Sequence, residues 1–126
     1  MPTILLVEDN EINADMLSRR LTRRGFRVVV ATDGLQAVAG AQQHHPDLIL
    51  MDMSLPEIDG WEATRRIKGH PATAEIPVIA LTAHAMTSDR ERSMAAGCDE
   101  FETKPVDLER LLEKIVAFVV PCTTHD

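Results

Sequence analysis

Leu48-Ile49-Leu50-Met51-Asp52 decides the fold of this chain, because four apolar residues lead directly into a carboxylate. A run that is apolar at every position is typical of a strand buried on both faces, as in a parallel sheet covered by helices. An acid inside such a run would be buried in an apolar layer, since strand side chains alternate between faces. At the carboxyl end it can face the crevice where open α/β sheets bind ligands. The pattern predicts a central strand with Asp52 as its working residue.

Strand and helix patterns alternate five times along the chain. The predicted strands span residues 3–7, 27–31, 48–52, 78–82 and 100–103. The predicted helices span about residues 11–24, 35–44, 61–68, 88–96 and 108–119. This alternation predicts right-handed crossovers and a parallel sheet with helices on both faces. The three most apolar strands should be central, which gives the flavodoxin-like α/β order 2-1-3-4-5.

Size and composition predict a single compact domain. The chain has 126 residues, and we assign residues 1–120 to the domain and residues 121–126 to a short polar tail. The net charge of −7 argues against nucleic acid or an anionic membrane as a partner. No apolar stretch approaches the ~18 residues of a membrane span, and no secretory signal is recognisable. With two cysteines that suggest no disulfide framework, we expect a cytoplasmic protein.

Polar residues follow four of the predicted strands: Glu8 and Asp9, Asp52, Thr82 and Lys104. The carboxyl ends of parallel strands meet at one edge of a sheet, so three carboxylates are expected in one cleft. Two like charges ~4 Å apart repel by about 4 kcal/mol at an effective dielectric constant of roughly 20. One lysine is insufficient for three carboxylates, and hard oxygen ligands without His or Cys suit Mg²⁺.

These residues predict a metal-assisted site for making an aspartyl phosphate. Asp52 is the candidate nucleophile, Lys104 supplies a charge for a phosphoryl oxygen, and Thr82 supplies a hydroxyl donor. Each residue also has an ordinary structural role open to it, as a helix-end acid, a turn residue or a solvated lysine. Their joint placement at four strand ends favours the functional interpretation.

The sequence resembles the receiver domain of two-component response regulators over about residues 3 to 119. The matching segments are Val7-Glu8-Asp9-Asn10, the strand ending at Asp52, Leu55-Pro56 with Asp59-Gly60, Leu81-Thr82-Ala83, and Lys104-Pro105. The resemblance implies that Asp52 takes a phosphoryl group from a histidine kinase or a histidine phosphotransfer protein, in a self-catalysed reaction rather than as a turnover enzyme. It also implies that Asp9 and Asp52, with Glu8 through water and the backbone carbonyl of Ser54, hold Mg²⁺.

The resemblance further implies a switch that reads the phosphoryl group. Thr82 would move to bond it, Lys104 would pair with it, and Phe101 would turn inward as Thr82 moves. The Lys104–Pro105 bond is usually cis in this family. The face from the predicted helix 88–96 to the last helix, residues 88–119, would bind a downstream protein. The protein would be a monomer or a phosphorylation-dependent dimer, and of the stand-alone type.

Three residues are assigned to partner docking: Ile12, Met16 and Pro105. Ile12 and Met16 fall off the core face of the first predicted helix, beside the acidic pocket. Edge packing against a loop is the alternative to an apolar docking patch for the phosphodonor. Ser54 and His84 occupy positions that vary in such proteins, and we predict that His84 overhangs the phosphoryl group and affects attack by water.

Three other interpretations stay open at this point. A flavodoxin-like cofactor binder needs a phosphate cradle after the first strand, where Glu8 and Asp9 have the wrong charge without a metal. A phosphatase of the haloacid dehalogenase type has a second Asp two residues after its nucleophile, where this chain has Ser54. A receiver cut from a hybrid histidine kinase or a larger regulator would have the same site, and the polar tail argues only weakly for a natural end.

Overall fold

The computed structural model describes residues 2–53, 55, 58–82, 91–92 and 94–119. In these ranges the strands are β1 (Thr3–Val7), β2 (Arg27–Ala31), β3 (Leu48–Asp52), β4 (Val78–Thr82) and β5 (Glu100–Thr103). The helices are α1 (Glu11–Arg23), α2 (Gly34–His44), α3 (Gly60–Gly69) and α4 (Leu108–Val116). The predicted helix 88–96 lies partly outside the described residues; of those described, residues 91, 92, 94 and 95 are helical.

The described strands form one parallel sheet in the order β2-β1-β3-β4-β5. This confirms the predicted order, with the three most apolar strands in the centre and β2 and β5 at the edges. β1 and β3 are direct neighbours, with Val7 opposite Met51. The residues that follow β1 and β3 therefore meet at one point of the sheet edge.

Alternating side chains of the central strands belong to two apolar layers, one on each face of the sheet. Leu5, Ile49 and Val78 belong to a layer that includes Ala37 of α2 and Ile67 of α3. The intervening strand residues belong to a second layer with α1 and α4, whose members include Ile4, Leu50, Ile79, Leu21 and Ile115. Strands buried on both faces explain why their sequences are continuously apolar, as predicted. None of the helices in the described ranges has the length and apolarity that crossing a membrane requires.

Side-chain caps fix where the helices begin. The side-chain oxygens of Asn10, Asp33, Asp59 and Asp107 each accept the backbone N–H three residues ahead. Such a cap satisfies one of the free N–H groups at a helix N-terminus. Because these helices start at the carboxyl edge of the sheet, the caps also hold the loops that surround the acidic cleft.

The last helix, α4, is shorter than the helix predicted over residues 108–119. Leu111 and Ile115 are buried against the sheet, but the helix ends at Val116, and Phe118 is 40% exposed. The predicted helix over residues 108–119 is therefore three residues too long, and Phe118 lies in the turn that follows the observed helix. Val119 still packs against that layer.

Candidate acidic phosphoryl site

Three carboxylates converge at the carboxyl edge of the sheet. Asp52 is the last residue of β3, and Glu8 and Asp9 directly follow the neighbouring strand β1. One carboxylate oxygen from each residue lies within 4.8 Å of the other two. Glu8 and Asp52 are buried, whereas Asp9 is exposed. The structure therefore brings together the acids that the sequence placed in one cleft.

Lys104 joins this cluster from the loop after β5. Its Nζ donates to Oδ2 of Asp52 at 3.0 Å and to Oε1 of Glu8 at 3.3 Å. Burial raises the pKa of Glu8 above its ordinary value; a bond from the Asn10 N–H opposes this, and the charge of Asp52 adds to it. Burial lowers the pKa of Lys104, but the hydrogen bonds and charges of Asp52 and Glu8 outweigh it, so the pKa is raised.

The donor set of the cleft fits a hard divalent cation. The three carboxylates and the ammonium group of Lys104 together carry a net charge of −2 when all four are ionised. The grouped ligand atoms are carboxylate oxygens, which Mg²⁺ prefers. The exposure of Asp9 leaves one side of the cluster open to water, and Mg²⁺ usually keeps several waters in such sites.

Two further predicted site residues lie on β4 and β5, the two strands on one side of β3. Thr82 is the last residue of β4 and is 3% exposed, opposite Thr103 of β5. Phe101 lies in β5 opposite Ala80, half-buried against the apolar layer that α2 and α3 cover. The predicted roles of Ser54 and His84 fall outside the described residues. The Lys104–Pro105 bond is cis, as the resemblance implied.

Gly60 holds the loop after β3 close to the acidic cluster. Its N–H donates to the carbonyl of Met53 at 3.2 Å, and a Cβ atom at this position would lie 2.4 Å from the carbonyl oxygen of Asp52. From the sequence, Gly60 was identified only as part of the Asp59-Gly60 pair that matches the receiver family. The close approach depends on where the loop folds back, and no local pattern in the sequence gives that information.

Two of the three proposed docking residues, Met16 and Pro105, line a cavity next to the cleft. Ile12 is 71% exposed and Met16 is 47% exposed, which confirms that both lie off the core face of α1. This cavity has a volume of about 510 Å³, and its lining also includes Glu8 and Lys104. Sequence analysis missed Arg20, which lines the same cavity and shares a helical face with Met16.

Comparison with known proteins gives one consistent family. A sequence model of the response regulator receiver domain matches residues 4–116. The chain is 39% identical over 117 residues to the polar-differentiation response regulator DivK of Brucella ovis, covering 93% of this chain and 95% of that protein. The DivK protein of Brucella anthropi is 38% identical over the same length and coverage. These matches favour neither a flavodoxin-like cofactor binder nor a dehalogenase-type phosphatase.

Solved structures agree with this comparison. The receiver domain of the sensor histidine kinase PA1611 from Pseudomonas aeruginosa PAO1, which has a magnesium ion in its active site cleft, is 39% identical with a TM-score of 0.87. The match covers 93% of this chain and 96% of that domain. The chemotaxis protein CheY4 of Vibrio cholerae is 27% identical with a TM-score of 0.88, over 94% of this chain and 99% of that one.

Proposed function

The chain belongs to the response regulator receiver domain family, and we propose that Asp52 is the residue that accepts the phosphoryl group. The observation that carries this proposal is the position of Asp52 between a cation and two acids. Its carboxylate lies 3.0 Å from Lys104 and within 4.8 Å of oxygens from Glu8 and Asp9. A nucleophilic carboxylate needs this combination of neighbouring metal ligands and a positive charge for the incoming phosphoryl oxygens.

We further propose that Glu8, Asp9 and Asp52, with the backbone carbonyl of Ser54, hold Mg²⁺. The PA1611 receiver, which contains magnesium in its cleft, supports this assignment. The net negative charge of the three carboxylates and Lys104 supports it as well. When bound, the ion would offset charge on the carboxylates and on the phosphoryl oxygens. Asp9 and Asp52 would bind it directly and Glu8 through water.

Three side chains of this protein take part in the proposed phosphoryl transfer. A carboxylate oxygen of Asp52 forms the new P–O bond while the P–N bond of a phosphohistidine donor breaks, and the freed imidazole takes up a proton. Lys104 pairs with one phosphoryl oxygen, and the Thr82 hydroxyl donates to another. We infer that the domain promotes its own phosphorylation and later hydrolysis, in a signalling role rather than as a turnover enzyme.

We infer that phosphorylation of Asp52 changes the packing of side chains on β4 and β5. Thr82 would shift towards the phosphoryl group, and Phe101, half-buried on the neighbouring strand β5, would fill the space that is vacated. The surface formed by residues 88–119 would then bind a downstream protein, or a second copy of the chain in a phosphorylation-dependent dimer. Such a change resembles other switches in which a local charge biases a bistable packing arrangement.

We assign the phosphodonor to the class of histidine kinases and histidine phosphotransfer proteins. Ile12, Met16 and Pro105 would contact the donor, because Met16 and Pro105 line the cavity beside Lys104 and Ile12 is exposed one helical turn before Met16. The proposed receiver domain covers residues 1–120, with residues 121–126 as a tail, and we place it in the cytoplasm, where such donors present their phosphohistidine.

A receiver within a larger protein is the second candidate. The PA1611 receiver is part of a sensor histidine kinase and is as similar to this chain as DivK is, at 39% identity. An antibody against the domain would separate the two possibilities on an immunoblot of the source cells. A band at 14.0 kDa indicates a stand-alone regulator, and a much larger band indicates a hybrid kinase.

Mass spectrometry tests the assignment of Asp52 directly. After treatment with acetyl phosphate and Mg²⁺, we expect the wild type to gain one phosphoryl group and Asp52→Asn to gain none. Asp59→Asn is the matched control, since Asn also caps a helix and Asp59 lies outside the three-acid cluster. Labelling of Asp52→Asn to the wild-type extent would refute the assignment.

A further inference from the structure

The outward face of α1 combines exposed apolar and basic side chains. At 100° per residue, Ile12, Met16, Arg20 and Arg23 fall within a sector about 80° wide. The opposite side of the helix, with Ala14 and Leu21, is buried against the sheet. The exposed sector is thus a separate surface whose apolar end lies near the acidic cleft and whose basic end points away from it.

The basic end of this face is unusual in an acidic chain. Five of the 13 Lys and Arg residues are arginines between positions 19 and 27, although the net charge is −7. Arg19 pairs with Asp15 at 3.0 Å, and Arg24 pairs with Glu109 at 2.9 Å. Arg20 and Arg23 make no ion pair with any residue in the described part of the chain. Cations are stabilising near the C-terminus of a helix, but that effect does not explain why Arg20 and Arg23 share a face with exposed Ile12 and Met16.

The cavity links this face to the phosphoryl site. Met16 and Arg20 of α1 line the cavity together with Glu8, Lys104, Pro105 and Val106. A volume of about 510 Å³ is large enough for several side chains of a partner. Ile12, Met16 and Arg20 are spaced four residues apart, and such rows form the ridges that pack into the grooves of a second helix.

We propose that α1 selects a phosphodonor whose docking helix is acidic. Apolar side chains of that helix would contact Ile12 and Met16, and its carboxylates would pair with Arg20 and Arg23. The inference rests on the proposed function, because the donor's phosphohistidine must reach Asp52, which contacts Lys104 of the cavity lining. Charge complementarity favours an acidic protein helix over a second copy of this chain, whose own α1 face carries the same arginines.

Two synthetic helical peptides test the inference. Each carries one phosphohistidine and the same apolar residues, but the flanking positions are Glu in one peptide and Lys in the other. The measured quantity is the ratio of their kcat/KM values for labelling the full-length protein in Mg²⁺. We expect the wild type to prefer the acidic peptide by about fivefold or more, and Arg20→Glu to lose or reverse that preference.

Arg27→Glu is the matched control for this ratio. Arg27 is also an exposed arginine, but it begins β2 and lies at the opposite edge of the sheet from the cleft. Arg27→Glu changes the net charge by the same amount as Arg20→Glu. Because Arg27 lies far from the α1 face, the variant should keep the wild-type preference. A preference that Arg27→Glu abolishes equally would overturn the inference, since net charge alone would then explain it.

Acetyl phosphate separates failure of this inference from failure of the proposed function. If acetyl phosphate labels the wild type while the two peptides react equally, the α1 inference is wrong and the role of Asp52 stands. If no donor labels the protein, the proposed function itself fails, and this inference fails with it. A wild-type dimer in sedimentation that Arg20→Glu dissociates would assign the face to a second copy instead and overturn the proposal.

Discussion

Nζ of Lys104 lies 3.0 Å from Oδ2 of Asp52, and the same ammonium group lies 3.3 Å from Glu8. A single cation therefore serves two carboxylates that are almost completely removed from water. Their mutual repulsion would otherwise cost several kcal/mol in a medium of low dielectric constant. Lys104 and a bound metal ion are thus alternative sources of positive charge for the same acids.

Replacement of Lys104 should make stability depend strongly on Mg²⁺. We expect Lys104→Met to lower the free energy of unfolding by about 1–3 kcal/mol without metal, and Mg²⁺ to restore much of that loss. Urea denaturation with and without Mg²⁺ measures both effects. Lys68→Met is the control, because Lys68 pairs with Asp99 at 2.8 Å away from the cleft. Equal Mg²⁺ responses in the two variants would contradict the shared role of Lys104.

Gly60→Ala should distort the loop beside the phosphoryl site. The added methyl group would lie 2.4 Å from the carbonyl oxygen of Asp52 and 2.7 Å from Cα of Met53, and both are backbone atoms that yield only if the loop moves. We expect a loss of about 1–3 kcal/mol in stability and at least about a tenfold slower reaction with acetyl phosphate.

Gly69→Ala is the matched control for the loop. A Cβ atom at Gly69 meets nothing within 4 Å, so the same substitution tests glycine replacement in α3 without the clash. Stability should stay the same or rise by up to about 1 kcal/mol. If both glycine variants react with acetyl phosphate at the wild-type rate, the close approach at Gly60 has no influence on Asp52.

Glu102 should be important for stability although it is outside the acidic cluster. Its side chain is 1% exposed and pairs with Lys114 at 2.7 Å and with Arg110 at 2.9 Å, which ties β5 to α4. Glu102→Gln removes the charge but keeps the shape, and we expect a loss of about 2 kcal/mol in urea denaturation. Glu109→Gln, in the exposed pair with Arg24, should change stability very little. A similar result for both would show that burial adds nothing to the Glu102 pair.

The thiol of Cys98 should be unreactive in the folded protein. Burial raises its pKa to about 11 from an ordinary value of 9.0, so at about pH 8 its thiolate fraction is about 100-fold lower than that of a free thiol. We expect a correspondingly slow reaction with Ellman's reagent in a Cys122→Ser background, and an ordinary rate in urea. A native rate within a factor of about three of the urea rate would disprove this burial effect.

The same pKa shift predicts how stability depends on alkaline pH. Below pH 9.0 the thiol is protonated in both the folded and the unfolded protein, so it has no effect. Between pH 9.0 and about 11 the unfolded chain ionises first, and the free energy of unfolding should fall as pH rises. Cys98→Ala should reduce this fall, which urea denaturation across the interval would measure.

Local patterns were enough to place the main elements of the fold. The continuous apolar runs of β1, β3 and β4 predicted central strands, because burial on both faces leaves its pattern in adjacent residues. The last helix was predicted to run to residue 119 but ends at Val116, and Phe118, although apolar, is 40% exposed. Periodicity gives the direction of a side chain, whereas its burial depends on what lies opposite.

The sequence alone determined that Asp52 ends a buried strand and that acids, a hydroxyl and a lysine follow the neighbouring strands. Only the tertiary structure decided that Lys104 contacts both Glu8 and Asp52, that Gly60 lies against the Asp52 backbone, and that a cavity connects Arg20 to the cleft. The physical reason is the range of each interaction. Strand and helix patterns arise from residues close in sequence, but these distances depend on how segments up to 96 positions apart pack together.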